Sequence, residues 1–452
     1  MQQMQRTYTP GIAVGIVKDG KVILKKGYGL ANVEFAVFTD PNSMFQLLSI
    51  TKQFTAAGVM IFVQSGKISL DAAVSKYLPA VPALWKSITI RHLLTHTSGI
   101  VDITDVHPFF EQIREDARPE QLLTPVYKLD LLFKPGTQWR YSNSNYFILG
   151  MVIEKVSGKS YKDFLQENIF TPLGMKSTKV NDLRDVIPYR VSGYHWLGEN
   201  AEQEPSMISG YHGIKNVLQN AIYISPTRQW AAGGIVSSIN DLIKWDSALN
   251  NHILLNKTSD EQMITQGKLL SGTKINYGFG NELFTMRGHQ VAGHQGGGMA
   301  FNTTYLRFIN DHLSVIVLCN QTTGPSKQIA SHIASFIIPS LEYDSLIMSN
   351  KNSEPIDITE IFKAVISKAR NGEVDKNLFA DEAQETANFI QRAGKDFFMQ
   401  QGELLSIQFL EDKPEGAKHI YTYRTKFKNS TVLWNIEFNN NKKVLAINPT
   451  PE

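Results

Sequence analysis

The sequence predicts an α/β protein: an antiparallel sheet built from both ends of a long N-terminal stretch and flanked by helices, an inserted helical lobe, and a small α+β domain after it. Three observations carry that prediction. β-branched runs at residues 11–25 return at 288–319. Mostly helical patterning with Pro/Gly-rich loops fills about residues 70–270. A polar, proline-punctuated break near residue 348 is followed by two helical segments and then strand-like runs.

The elements follow in order. Gly11–Lys18 and Lys21–Lys25 are split by Asp19-Gly20, a two-residue connection that signals an antiparallel hairpin. Phe54–Val63 is apolar on every face and stops at Ser65-Gly66, the pattern of a buried helix with Gly66 at C′. Helices are expected at 144–157 and 240–250, with a long irregular loop at 196–224. Strands follow at 288–292, 302–308 and 313–319, then an amphipathic helix at 325–338. Beyond Met348–Pro355, helices at 358–371 and 381–400 precede strands at 404–410, 419–428 and 431–438. No internal repeat of 20–50 residues occurs. The expected division is a domain over 1–345 with its helical lobe at 70–270, a linker at 346–356, and a domain over 357–452.

Composition narrows the function. The 452 residues are 42% hydrophobic and 19% charged, which is globular composition. A net charge of +3 with no Lys/Arg-rich run gives no electrostatic footprint for nucleic acid. No window of about 18 apolar residues exists, so no transmembrane helix is expected. Met1–Pro10 lacks the basic start and apolar stretch of a signal peptide, which leaves a cytoplasmic protein or a trimmed secreted one. The single cysteine, Cys319, ends an apolar strand-like run and reads as a buried thiol rather than a nucleophile.

Three motifs carry chemistry. Ser49-Ile50-Thr51-Lys52 opens the buried helix, and its i, i+3 spacing puts both side chains on one face. A desolvated lysine there can take the serine proton, and the helix N-terminus favours a developing oxyanion. A second copy, Ser271–Lys274, lies in a polar turn and reads as chance. Tyr141-Ser142-Asn143 follows a Pro-Gly turn: the tyrosine can relay protons and the amide can hold a substrate carbonyl. Taken alone, Asn143 also reads as a helix N-cap. Gly293–Gly298 sets His294 among clustered glycines in a predicted strand, which suggests close approach by a ligand or another backbone. Gly158-Lys159-Ser160 is a partial P-loop match whose upstream position is Ile153, not glycine. No G-x-S-x-G elbow occurs, which disfavours an α/β-hydrolase, and with no H-E-x-x-H or Cys/His cluster no metal is expected, nor any cofactor.

The order S-x-x-K, Y-x-N, H-x-G resembles the serine beta-lactamase and penicillin-binding-protein superfamily. It is most similar to the class C-like branch that holds D-alanyl-D-alanine carboxypeptidases, D-aminopeptidases and carboxylesterases. Leu93–Gly99, Pro172–Met175, Ala232–Gly234 and Tyr277–Gly280 agree, and the resemblance covers about residues 9–340. It implies a two-lobed beta-lactamase-like fold and a serine hydrolase acting through an acyl-enzyme on a peptide, amide or ester. The alternatives are a weak beta-lactamase or an inactive binding protein. By resemblance, Ser49 is the nucleophile, Lys52 and Tyr141 share the proton transfers, and Asn143 orients the acyl group. Ser49 and Gly297 supply the oxyanion-hole N–H groups, with Gly296 beside the substrate. His294 stands where many beta-lactamases carry the lysine of K-T-G, and a neutral imidazole is a weaker anchor for a carboxylate. His96 is expected to be structural. The substrate is a small molecule or peptide chosen by pocket shape, set by the helical lobe and the 196–224 loop. Family habit points to a periplasmic or secreted location; the oligomeric state is left open. The C-terminal helices and strands resemble the cone-shaped fold of nuclear-transport-factor-like domains.

Overall fold

Asp19 and Gly20 both take positive φ (51° and 72°), the type I′ geometry whose twist matches the flanking strands. They join β1 (Ile12–Lys18) to β2 (Lys21–Tyr28). The computed structural model describes residues 9–197, 217–298, 300–341, 354–415 and 418–451. Residues 198–216 of the 196–224 loop lie outside the described residues, but its ends are not irregular: Tyr194–Leu197 pairs antiparallel with Val217–Asn220. The 346–356 linker is largely outside the described residues. The chain divides into two compact units, Met1–Ile333 and Ala334–Glu452.

In the first unit, the hairpin joins β3 (Glu282–Met286), β4 (His289–Gly297), β5 (Asn302–Phe308) and β6 (Leu313–Cys319) in one antiparallel sheet. Its order is β3-β4-β5-β6-β1-β2. The register Ile12↔Cys319 to Lys18↔Leu313 closes the sheet with segments 300 residues apart, as the two sets of β-branched runs predict. Every residue of β6 is buried, and burial pushes the Cys319 thiol up to about 12, so it stays protonated.

Helix α1 (Thr51–Gln64) is buried on nearly all sides. It ends through Ser65 with Gly66 at φ 73°, where only glycine is free of Cβ strain. Phe54 stacks on Trp245 at 4.3 Å. Gln53 accepts from the Trp245 indole (3.1 Å) and donates to Asn281 (3.0 Å), so no buried amide is left unpaired there. Helix α2 (Asn143–Ser157) ends at left-handed Gly158, and Ser160 caps the next helical turn. The partial P-loop match is therefore a helix stop followed by a helix start. Helix α3 (Ile239–Asn250) packs across β1 and β6; Gly15, lacking Cβ, lets Ile239 lie against β1.

The lobe between the sheet halves also carries short strands. Ile235–Ser237 pairs with both Phe45–Gln46 and Lys179–Val180. They are too short for a two-residue period to register in sequence. Helix α4 (Ser326–Ile337) follows β6.

The second unit runs α5 (Ile356–Arg370), α6 (Gln384–Gln401) and a meander of β7 (Leu404–Glu415), β8 (Lys418–Phe427), β9 (Thr431–Asn439) and β10 (Val444–Pro451). Phe362, Phe398, Tyr423 and Trp434 form its aromatic centre. The fourth strand, which carries Pro449 and Pro451, adds to the three that the sequence leads one to expect. It is the edge strand, laddered to β9 and bridged at Val444 to Phe379, and an edge tolerates the missing N–H groups.

Candidate active site

Ser49 lies in the single 3-10 turn Leu48–Ile50 that leads into α1. Leu48 takes φ 51°, a left-handed conformation that costs a branched residue about 1–2 kcal/mol. Main-chain bonds hold the turn against this strain. Leu47 N–H donates to Ile235 O (2.8 Å), and the Thr303 hydroxyl donates to Leu47 O (2.8 Å). A Cβ on Gly296 would run into Leu47 O and Thr303 Oγ1, and one on Gly293 into Tyr305 O. Two of the clustered glycines thus serve backbone approach, one of the two uses the sequence suggests. Beside Gly297 the space is open. Replacing Gly296 by alanine should push the Ser49 turn off β4. Overpacking of this kind costs about 1–3 kcal/mol, and kcat/KM toward a p-nitrophenyl ester should fall about 10-fold or more. Unchanged turnover with an unchanged melting temperature would show the approach to be slack.

Lys52 is fully buried. Its Nζ lies 3.1 Å from Ser49 Oγ, 2.8 Å from Asn143 Oδ1 and 2.8 Å from Ala232 O. Burial lowers its pKa to about 7, and the carboxylates of Asp102 and Glu282 only partly oppose the shift. A neutral amine has two hydrogens and one lone pair. Asn143 Oδ1 and Ala232 O can only accept, so they take the two N–H bonds. The lone pair then faces Ser49 Oγ, the one neighbour able to donate.

Tyr141 approaches the same oxygen from the other side, its hydroxyl donating to Ser49 Oγ at 2.9 Å. Burial holds its pKa well above 10, so it is a neutral phenol and a donor. With Lys52 neutral, the hydrogen bonds run one way: Tyr141 O–H to Ser49 Oγ, and Ser49 O–H to Lys52 Nζ. The Lys52 Nζ also sits 4.8 Å from the centre of the Tyr141 ring.

Asn143 is the first residue of α2, not its N-cap, which is Ser142. Its side chain is turned inward by Asp102, whose Oδ2 accepts from both Asn143 N (3.0 Å) and Nδ2 (3.0 Å). Because Nδ2 must donate to a carboxylate, Oδ1 must face Lys52, which fixes the amide orientation. His96 supports the Tyr141 loop: Nδ1 accepts from Ser142 N–H (3.2 Å), and the ring lies 4.3 Å from that of Tyr141. Burial holds His96 well below its usual pKa, so it is a neutral structural support.

His294 lies on β4, buried beside this cluster but in no hydrogen bond with Ser49, Lys52 or Tyr141. Its Nδ1 faces Gln295 O at 2.6 Å, so Nδ1 carries the hydrogen, and Nε2 accepts from Tyr277 O–H at 2.9 Å. Burial and the nearby Lys52 charge lower its pKa to about 3, leaving the ring neutral. Sequence reasoning missed Asp102, Tyr277, Glu282 and the Ala232 carbonyl. Only Ala232 and Tyr277 had a signal, lying in Ala-Gly-Gly and Tyr-Gly-Phe-Gly. Among the described residues no group of three or more His, Cys, Asp or Glu is placed to hold a metal, and no helix is long and apolar enough to cross a membrane.

Comparison with known proteins gives the family. The family model described as Beta-lactamase matches residues 1–335. Penicillin-binding protein 4* of Bacillus subtilis (strain 168) is 29% identical over 308 residues, which is 67% of this chain and 66% of that protein. D-aminopeptidase of Gluconobacter oxydans (strain 621H) is 28% identical over 328 residues, 71% of this chain and 57% of that one. Both matches thus span less than two thirds of the relative's length. In fold, the chain is similar to the octameric penicillin-binding protein homologue from Pyrococcus abyssi. The TM-score is 0.62 at 24% identity, covering 98% of this chain and 92% of that one. A matching family model over most of the chain, with the S-x-x-K pair and the Y-x-N tyrosine meeting at one serine oxygen, shows that the chain belongs to the beta-lactamase family.

Proposed function

We propose that the chain is a serine hydrolase working through an acyl-enzyme on an amide, peptide or ester. The observation that carries this reading is the convergence of Lys52 Nζ (3.1 Å) and the Tyr141 hydroxyl (2.9 Å) on Ser49 Oγ. In the first step Ser49 Oγ bonds to the substrate carbonyl carbon, its proton passes to Lys52 Nζ, and the carbonyl electrons move onto oxygen. Backbone N–H groups of Ser49 and Gly297 receive the oxyanion. The C–N or C–O bond then breaks, Tyr141 gives its proton to the leaving group, and Lys52 restores it. Water attacks the ester along the same path in reverse, releasing acid and free Ser49.

The state of His294 supports this choice of substrate. A neutral ring with both nitrogens engaged offers no cation for a substrate carboxylate. Amides and esters without that anchor fit better than penicillins, and the D-aminopeptidase relative makes D-amino acid amides and peptides the first substrates to try. Intact-protein mass spectrometry after treatment with a fluorophosphonate should show one added phosphonyl group, mapped to Ser49 by proteolysis. No adduct, or an adduct on another residue, overturns the acyl-enzyme. A panel of D- and L-amino acid amides, esters and nitrocefin then orders the substrates.

A further inference from the structure

Four residues before Ala232, the chain buries an arginine whose two terminal nitrogens have no protein hydrogen-bond partner among the described residues. Arg228 ends the short 3-10 turn Pro226–Arg228, capped by Ser225, and is 6% exposed. Its Nε donates to Glu115 O (3.1 Å), and its guanidinium lies 5.6 Å from the centre of the Phe109 ring. These contacts fix the plane of the fork and leave its outer edge free. No hydrogen bond to Nη1 or Nη2, and no carboxylate within 4.0 Å of Arg228, occurs among the described residues. A mostly buried cation offset only by the Glu115 carboxylate, which makes no ion pair with it, is costly, and guanidinium is the side chain whose geometry matches a carboxylate bidentately.

Arg228 lines a cavity of about 240 Å³, smaller than a drug-sized pocket and suited to a small metabolite. Val106, Phe109 and Leu122 give it apolar wall; Glu115 and Asp116, both exposed, line it as well. Asp116 Oδ1 accepts from Ser225 O–H (2.5 Å), which steadies the carboxylate on the turn that carries Arg228. The cavity therefore offers a free guanidinium, two carboxylates not paired to it, and an apolar surface.

We propose that this cavity is a binding site, separate from the Ser49 centre, for an α-amino acid with an apolar side chain. The ligand carboxylate lies across the two Nη groups of Arg228, its ammonium is received by Asp116 and Glu115, and its side chain rests on Phe109 and Leu122. No carboxylate lies within 4.0 Å of the fork among the described residues, and a zwitterion satisfies fork and carboxylates at once. The inference does not depend on the catalytic reading, because none of these residues touches Ser49, Lys52 or Tyr141.

Isothermal titration of the full chain with phenylalanine, 3-phenylpropionate and phenylalaninamide tests it. Phenylalanine of one or the other hand should bind best, 3-phenylpropionate more weakly, and the amide, which has no carboxylate, not measurably. Arg228→Gln should weaken phenylalanine binding at least 10-fold. Should that variant fold poorly, Gln112→Trp, at an exposed lining position whose side chain makes no hydrogen bond, fills the cavity without touching Arg228 and should have the same effect. Ser49→Ala should leave affinity unchanged. Binding that survives both cavity variants, or that a phosphonate on Ser49 abolishes, overturns the site. Equal affinity for phenylalanine and 3-phenylpropionate overturns the amino acid as occupant.

Discussion

Ser49→Ala should lower kcat/KM toward the best ester or amide by about 10³-fold or more, the loss seen when a nucleophile and its base act as one unit. No other hydroxyl shares the position. Lys52 Nζ and Tyr141 O–H converge on Ser49 Oγ at 3.1 and 2.9 Å, and no second serine or threonine oxygen among the described residues bonds to both. The fold should survive, since Leu47 and Thr303 hold the turn through main-chain atoms and the 3-10 turn does not use the hydroxyl. A near-UV spectrum and melting temperature close to wild type, with turnover gone, is the expected pair of results. Turnover within 10-fold of wild type would remove Ser49 from the mechanism.

The parts of this site that are legible in sequence are those set by local geometry. The Ser49–Lys52 pair follows from i, i+3 spacing on a segment whose apolar faces all need burial, and Asp19-Gly20 dictates its own turn. Tyr141 and Asn143 can be found only because a family motif marks them. The spacing of 92 residues between Ser49 and Tyr141 contains no physical signal, and the contact depends on His96 and Asp102 holding the loop from a third segment. Asp102 itself is invisible: an aspartate after a glycine-containing loop is an ordinary turn residue until Asn143 is seen to need it. His294 is legible as a strand residue. Its neutrality is not, because that follows from burial and from Tyr277, whose hydroxyl meets it only through the tertiary fold. The clustered glycines likewise announce close approach without saying that Leu47 and Tyr305 are the neighbours.

The pH dependence should follow Lys52. Only the neutral amine has a lone pair for the Ser49 proton, so kcat/KM should rise with pH through about 7 and be about 100-fold lower two units below it. His294 and His96 face the same space but are already neutral there, and Tyr141 and Tyr146 are held protonated above it. Asp102 and Glu282 are the carboxylates that raise the Lys52 pKa. Asp102→Asn removes one of them and frees the Asn143 amide to turn, so activity should drop and the acid limb should move to lower pH. A purely structural Asp102 would lower activity without moving the limb. The same ionisation appears in stability. Between pH 7 and the unfolded lysine value of 10.5 the unfolded chain holds a proton that the folded chain has released, so stability rises with pH across that window. Below pH 7 both states hold the proton, and the cost of burying it is full and constant. Lys52→Met lacks this dependence. Its melting temperature relative to wild type should therefore be highest at or below pH 7 and decline steadily toward pH 10. A difference that stays flat from pH 7 to 10 would mean that Lys52 is not held near neutrality by burial, and the role of its lone pair would fall with it.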